Sequence, residues 1–351
     1  MSSPVPVLFL LPALPVGGAE RQIASLVRGL DRTRFRPHVA CQHALGPVAE
    51  EIRAAGVEPE LLSGSSRVDP AFLANTRRLL KRERIRILVT HGFSTGVVGR
   101  LAAVLQRVPV RILAEHSTGE RDMTAGRHRI NRWLNARTSA WIAVAHGQVP
   151  YLVETKRIPP DRIHVIPNGI DVDAIAAAAS ASARDEVRAE FGIPPEAPVA
   201  GMIAVLRPEK DPKTFLLAAR FVLDALPRAH FILAGDGPLL DDMRQEARVL
   251  NMEAHVHLPG RRADVPRILA ALDASVLSST DVETMPLAFL ESMAAGLPLI
   301  GTRVGGLPEL VTEGGNGSLV EPRDPRGLAD AMERVLGDAA LRDRWGAASR
   351  E

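Results

Sequence analysis

The chain has 351 residues, 46% of them apolar, enough to fill two cores of ordinary size, which excludes a disordered chain. Its single cysteine, Cys41, excludes an intramolecular disulfide and a cysteine-based metal site, so a cytoplasmic location is the simplest expectation. The net charge of +2 hides an asymmetry: residues 1–172 hold 24 Lys and Arg against 14 Asp and Glu, and residues 173–351 hold 19 against 27.

Short β-rich apolar runs alternate with helical periodicity along the chain, the pattern of parallel sheets covered by helices. The first run, PVPVLFLLPALPV, is interrupted by prolines and shorter than the roughly 20 residues that cross a bilayer. It also lacks the basic flank of a signal peptide and reads as a buried strand, Val5 to Leu11. After it, PVGGAER sets Gly17 and Gly18 before a helix in which Ile23, Leu26, Val27 and Leu30 form one face. Amides at a glycine pair and a helix N-terminus can hold a phosphate or a sugar, and a plain turn uses the same residues.

Further strands are expected at 37–41, 86–90, 111–115, 141–144 and 164–167. His91 follows RILVT and His116 follows RILAE; a histidine at a strand end serves structure as readily as function. Arginines cluster at Arg77 to Arg86 and at Arg127 to Arg137, where Ile130, Trp133 and Leu134 share a helical face. Two readings stand for these clusters. One is a helix resting on an anionic membrane surface, each cation contributing on the order of 1 kcal/mol. The other is a solvated arginine-rich face. With 4% aromatic residues and no recognition motif, a nucleic-acid partner is not expected.

After Asn168-Gly169-Ile170-Asp171 comes an Ala-rich segment that ends in Pro and Gly. It divides the chain into a first domain, 1–172, a linker region, 173–197, and a second domain, 198–351. Strands in the second domain are expected at 199–205, 230–235, 255–260, 274–279, 298–302 and 317–322. The fold class is therefore α/β, two open Rossmann-like domains whose strand C-termini face a common cleft.

LRPEKDP places Arg207 and Lys210 between a strand and a helix, where cations can neutralise a diphosphate as its charge grows. Ser278 to Val311 is the most informative stretch. Glu283 falls in a loop, Pro286 suits a first helical turn, and Glu291 follows about a turn and a half into the helix. Amides around Thr284, Met285, Pro286 and Leu287 would face an anion, while the two carboxylates accept hydrogen bonds from hydroxyls. A nucleotide sugar needs both. The dinucleotide fingerprint G-x-G-x-x-G is absent, which disfavours nicotinamide chemistry.

PVGGAER, THGFSTGVVGRLAA, VIPNGID, LRPEKDP, AGDGP, the Glu283 to Glu291 pair and GTRVGGLPELV stand in this order over nearly the whole chain. In this it resembles the family four glycosyltransferases, retaining enzymes of the GT-B fold. The resemblance implies that Glu283 contacts the donor-sugar hydroxyls, Glu291 the ribose hydroxyls, and Arg207 and Lys210 the diphosphate. It implies that the backbone at Gly260 and Arg261 meets the base. His116 matches the histidine over the donor sugar, supporting an oxocarbenium-like transition state, and His91 would line the acceptor side.

Catalysis is expected to need no metal and no cofactor beyond the nucleotide sugar, UDP- or GDP-linked. The acceptor would be a lipid-linked glycan, a polysaccharide or a small molecule. Two positions depart from the family: Val205 stands where an additional Arg is usual, and Thr284 where Gly commonly follows the first Glu. They keep open a catalytically degenerate, carbohydrate-binding relative; a nucleotide-sugar epimerase is the other alternative. The chain stops at WGAASRE, in a helix still under way, so the family's terminal crossover helix is expected to be missing.

Overall fold

The structure, a computed structural model, describes residues 3–62, 70–116 and 125–351, without the side chains of 125–128. Arg127 of the second arginine cluster therefore lies outside the described side chains. The chain forms two compact units, Met1–Gly169 and Ile170–Glu351.

The first unit alternates strand and helix from its start: β1 (Val5–Ala13), α1 (Gly18–Gly29), β2 (Phe35–Ala44), α2 (Val48–Ala54) and β3 (Glu60–Leu61). It continues with α3 (Pro70–Arg82), β4 (Ile87–His91), α4 (Phe93–Leu105), β5 (Val110–Glu115), α5 (Ala125–Asn135), β6 (Ala140–Ala143) and β7 (Ile163–Val165). All pairings are parallel, in the order β3-β2-β1-β4-β5-β6-β7. Alternation along β1 sends Val7, Phe9 and Leu11 to one core and Leu8 and Leu10 to the other, as in a sheet covered on both faces.

The second unit begins with α6 (Val172–Ala178) and α7 (Ala181–Glu190). Its alternation then runs through β8 (Val199–Ile203), α8 (Pro212–Ala225), β9 (His230–Ala234), α9 (Leu240–Val249), β10 (Val256–Gly260), α10 (Val265–Ala270) and β11 (Ala274–Leu277). It ends with α11 (Leu287–Ala294), β12 (Leu299–Thr302), α12 (Leu307–Leu310), β13 (Gly317–Val320), α13 (Pro325–Leu336) and α14 (Ala339–Arg350). The sheet order is β10-β9-β8-β11-β12-β13, again parallel.

Every expected strand is present, with ends shifted by a few residues. β3 was not foreseen: two residues at a sheet edge carry no period. Three expectations change. In α1 the buried face is Ile23, Ala24 and Val27, while Leu26 is 41% exposed. Among the described side chains of α5 only Leu134 enters the core, and Ile130 and Trp133 face solvent.

Residues 173–197, expected as a linker, are folded into the second unit. Arg188 of α7 is buried and donates to the carbonyls of Ala271, Pro195 and Ala197 and to Asp273 at 3.0 Å. Asp273 also accepts from the Val199 amide, so one ion pair joins α7 to the starts of β8 and β11. The last helix, α14, packs on α11 and α13 of the same unit, with Trp345 buried.

Candidate active site

In an open parallel sheet the loops that part at the switch point leave a crevice at the strand C-termini. In the second unit that point lies between β8 and β11. β8 leads to Arg207 and Lys210; β11 leads to Ser278, Ser279 and Glu283. The two loops are tied together: the Ser278 hydroxyl donates to the carbonyls of Lys210 and Asp211, and the Thr280 amide donates to Glu209 O at 2.9 Å. Asp211, in the left-handed region at φ 45°, caps α8 through the amide and hydroxyl of Thr214.

This bracing brings Lys210 onto Glu283. The ammonium contacts Oε2 of the carboxylate, which also accepts from the Ser279 hydroxyl at 2.7 Å. Glu283 is 6% exposed and Lys210 22%, so the pair sits in a half-dry crevice open at the lysine side. The Glu283 carbonyl accepts from the Gly306 amide at 3.0 Å. At Gly305, φ 55°, a β-carbon would lie 1.6 Å from that carbonyl oxygen, so no larger residue fits.

Thr284, Met285, Leu287 and Glu291 are buried. Pro286 is the residue before α11 rather than within its first turn; its extended ψ of 124° makes it the N-cap. It offers no side-chain cap, and its carbonyl accepts from Phe289 and Leu290, so the helix start presents backbone donors toward the crevice. Glu291 lies on this helix one turn farther in. Arg207 is exposed, and Val205, where the family carries another Arg, is half-buried. Arg261 is exposed beside Gly260, which has φ 74°. Its neighbour Arg262 is committed to Glu190 and Asp264.

The first unit has its switch point between β1 and β4. There Gly17 is the N-cap of α1 and Gly18 its first residue. A β-carbon on Gly17 would lie 2.3 Å from an oxygen of Glu20, so this carboxylate closes over the loop.

His116 and His91 stand together at the ends of β5 and β4. Their Nε2 and Nδ1 atoms are 3.0 Å apart and the rings stack at 5.2 Å. Burial lowers His116 to about 4 and holds His91 well below its ordinary value, so both rings are neutral at physiological pH. The sequence marked His91 only as a lesser residue. The parallel with His116 is written in the repeated RILVTH and RILAEH, each ending a strand.

Gln42 was missed altogether. It is fully buried in β2 and accepts from Ser94 of α4 at 2.7 Å; a glutamine inside the apolar run PHVACQHA was its signal. Nε2 of Gln42 and Nε2 of His91 are buried with no partner among the described residues.

Both units are parallel and doubly wound, and the second joins a cation and a carboxylate at its switch point. Residues 183–351 match the family described as glycosyl transferases group 1, and residues 16–174 match Glycosyltransferase Family 4. The UDP-Gal:alpha-D-GlcNAc-diphosphoundecaprenol alpha-1,3-galactosyltransferase of Escherichia coli is 30% identical, covering 95% of this chain and 87% of its own length. The D-inositol 3-phosphate glycosyltransferase of Corynebacterium glutamicum is 27% identical over 85% of this chain and 77% of its own. Among solved structures, Anabaena HepE in complex with UDP and glucose superposes with a TM-score of 0.85 at 21% identity, covering 98% of this chain and 93% of that one. The chain belongs to the family four glycosyltransferases, and it is a hexosyltransferase.

Proposed function

We propose that this enzyme transfers a hexose from a UDP-sugar to a glycan carried on a lipid diphosphate, with retention of anomeric configuration and without a metal ion. The observation that carries the reading is the Lys210–Glu283 pair at the switch point of the second unit. A sugar hydroxyl donating to Glu283 then sits beside the cation that meets the diphosphate. UDP as the nucleotide is supported by the galactosyltransferase of E. coli, named for UDP-Gal, and by HepE, solved with UDP. The lipid diphosphate is supported by the acceptor in the name of the same E. coli relative.

In the reaction the bond between the anomeric carbon and the diphosphate oxygen breaks, and its electron pair leaves with the diphosphate. Lys210, Arg207 and the α11 N-terminus stabilise the charge gained, in the place of a divalent cation. The acceptor hydroxyl bonds to the anomeric carbon on the same face and gives its proton to a phosphate oxygen. His116, neutral, supports the positive sugar ring by hydrogen bonding rather than as a base. Glu291 binds the ribose, Thr284, Met285, Pro286 and Leu287 frame the diphosphate, and the backbone at Arg261 meets the base. Gly17 and Gly18 border the transferred sugar. The buried Nε2 of Gln42 is a donor suited to an acceptor hydroxyl, and Nε2 of His91 meets one as donor or acceptor according to its tautomer.

The first unit rests on an anionic membrane face through α5. Among the described residues no helix is long and apolar enough to cross a bilayer. On α5, exposed Ile130 and Trp133 alternate with exposed Arg129 and Arg132, and Arg137 stacks on the Trp133 ring at 4.0 Å.

Calorimetry with UDP- and GDP-sugars in EDTA tests the donor site. Saturable binding of a UDP-sugar, lost in Lys210→Ala and Glu291→Ala, is expected; no binding by the folded chain would favour a degenerate relative. The anomeric coupling of the product glycoside decides retention.

A further inference from the structure

A cavity of about 590 Å³ opens in the first unit, between the start of α4, the end of β5, α5 and the turn that follows Tyr151–Thr155. Its volume is that of an ordinary small-molecule site. Its lining is unusual in charge. Among the described residues, Arg100, Arg129, Arg132, Lys156, Arg157 and Arg162 border it, against one carboxylate, Glu115.

Arg100 is spent on structure: it donates to Gly96 O and to the side chains of Asn131, Asn135 and Thr138, bracing α4 against α5. Arg129, Arg132 and Arg157 are exposed, and among the described residues none of them pairs with a carboxylate. Elsewhere in this unit arginines find such partners, as Arg53 does with Glu50 and Glu58 and Arg82 with Glu60 and Glu83.

The start of α4 adds to the field. Gly92, at φ 78°, is its N-cap, and no side chain caps the helix there. A β-carbon on Gly92 would come within 2.9 Å of Pro12, so the turn keeps a glycine, and the positive end of the helix borders the cavity. Like charges gathered in a concavity repel one another, and a multivalent anion relieves that repulsion. Glu115 of the lining ends β5 directly before His116, so the cavity reaches the strand end that carries this histidine. Ile130 and Trp133, on the same helix as the lining residues Arg129 and Arg132, are exposed.

We infer that this cavity holds the diphosphate of a lipid-linked acceptor, with Arg132 and Arg157 as its principal cations, the sugar directed toward His116 and the lipid leaving over α5. The assignment rests on the acceptor class proposed above.

Inorganic diphosphate titrated into the full chain saturated with UDP tests the cavity apart from catalysis. The expected result is one saturable site, weakened at least tenfold in Arg132→Gln/Arg157→Gln, whose side chains are exposed and not part of the core, and kept in Lys210→Ala titrated without UDP, since that variant has lost the donor site. Equal affinity in the double variant, or loss in Lys210→Ala alone, overturns the inference. So does a double variant that loses binding to phosphatidylglycerol vesicles while the chain ignores diphosphate, since that marks a bulk-lipid contact.

A second arm compares a short-chain alkyl diphosphate sugar with the matching alkyl glycoside as acceptors. The double variant should raise KM at least tenfold for the diphosphate and leave KM for the glycoside and the affinity for UDP unchanged. An equal rise for both acceptors overturns the inference. No transfer to either sinks the proposed function instead, and the diphosphate titration still decides whether the cavity is an anion site.

Discussion

Lys210 and Glu283, 73 residues apart in sequence, meet at one oxygen, because the loops carrying them leave adjacent strands at the switch point and are tied by Ser278 and Thr280. Removing the cation leaves a buried carboxylate with Ser279 alone. Lys210→Ala should therefore lose about 2 to 3 kcal/mol of stability to urea and lower kcat by roughly 100-fold or more. Glu283→Gln, which keeps the shape and can still accept from Ser279, should cost less stability and as much rate. Equal stability losses in the two variants would mean that the pair is not held as described.

The histidines give a pH dependence of fixed sign. An unfolded histidine takes up its proton near 6.5, whereas native His116 waits until about 4 and His91 is also held well below its ordinary value. Between those values the unfolded chain binds more protons. The contribution to stability is complete above pH 6.5 and is lost as pH falls toward 4, by up to about 1.4 kcal/mol per pH unit for each such ring. Urea midpoints measured across this window should fall with acid, and less steeply in His116→Asn. A flat profile would show that the rings are charged in the native state.

Gly305→Ala isolates the loop from the chemistry. The added carbon falls on the Glu283 carbonyl, so that loop must move. Donor affinity should drop at least tenfold, while the first unit, read by near-ultraviolet dichroism of Trp141, keeps its signal. Unchanged UDP-sugar binding would separate Glu283 from the donor site.

Val205 stands where the family has an Arg, and Arg207 is exposed two positions on. If Arg207 carries the missing charge, Arg207→Ala should raise the donor KM about tenfold, and adding Val205→Arg should restore most of it. No rescue, with both variants folded, would dissociate Arg207 from the diphosphate.

Membrane docking through α5 predicts that Ile130→Asp/Trp133→Asp reduces sedimentation with phosphatidylglycerol vesicles by more than tenfold, with soluble-acceptor rates unchanged. Sedimentation of the native chain should weaken as salt rises, since the arginines supply part of the attraction.

The sequence made the strands legible because buried parallel strands are nearly continuous apolar runs, as in HFILA and ASVL. Helix faces were harder to read. In α1, hydrophobicity favoured Leu26 over Ala24, but the small residue is the one that fits against the sheet. The Ala-rich segment looked like a linker because its anchoring residue is a charged one, Arg188, whose burial depends on acceptors 6 to 85 positions away. Glu283 and Lys210 were identifiable by order and spacing. Their contact was not, since it depends on a switch point that only the strand order defines. The cationic cavity was equally hidden, with its lining gathered from Gly92 to Arg162.

The buried Arg188 bears on how relatives can be recombined. It fixes α7 to residues that open β8 and β11, so α7 belongs to the second unit, which begins at Ile170. A chimera that takes its acceptor half from another glycosyltransferase should be joined within Asn168 to Asp171. A crossover placed after α7 would strand an arginine from one parent against an aspartate from the other.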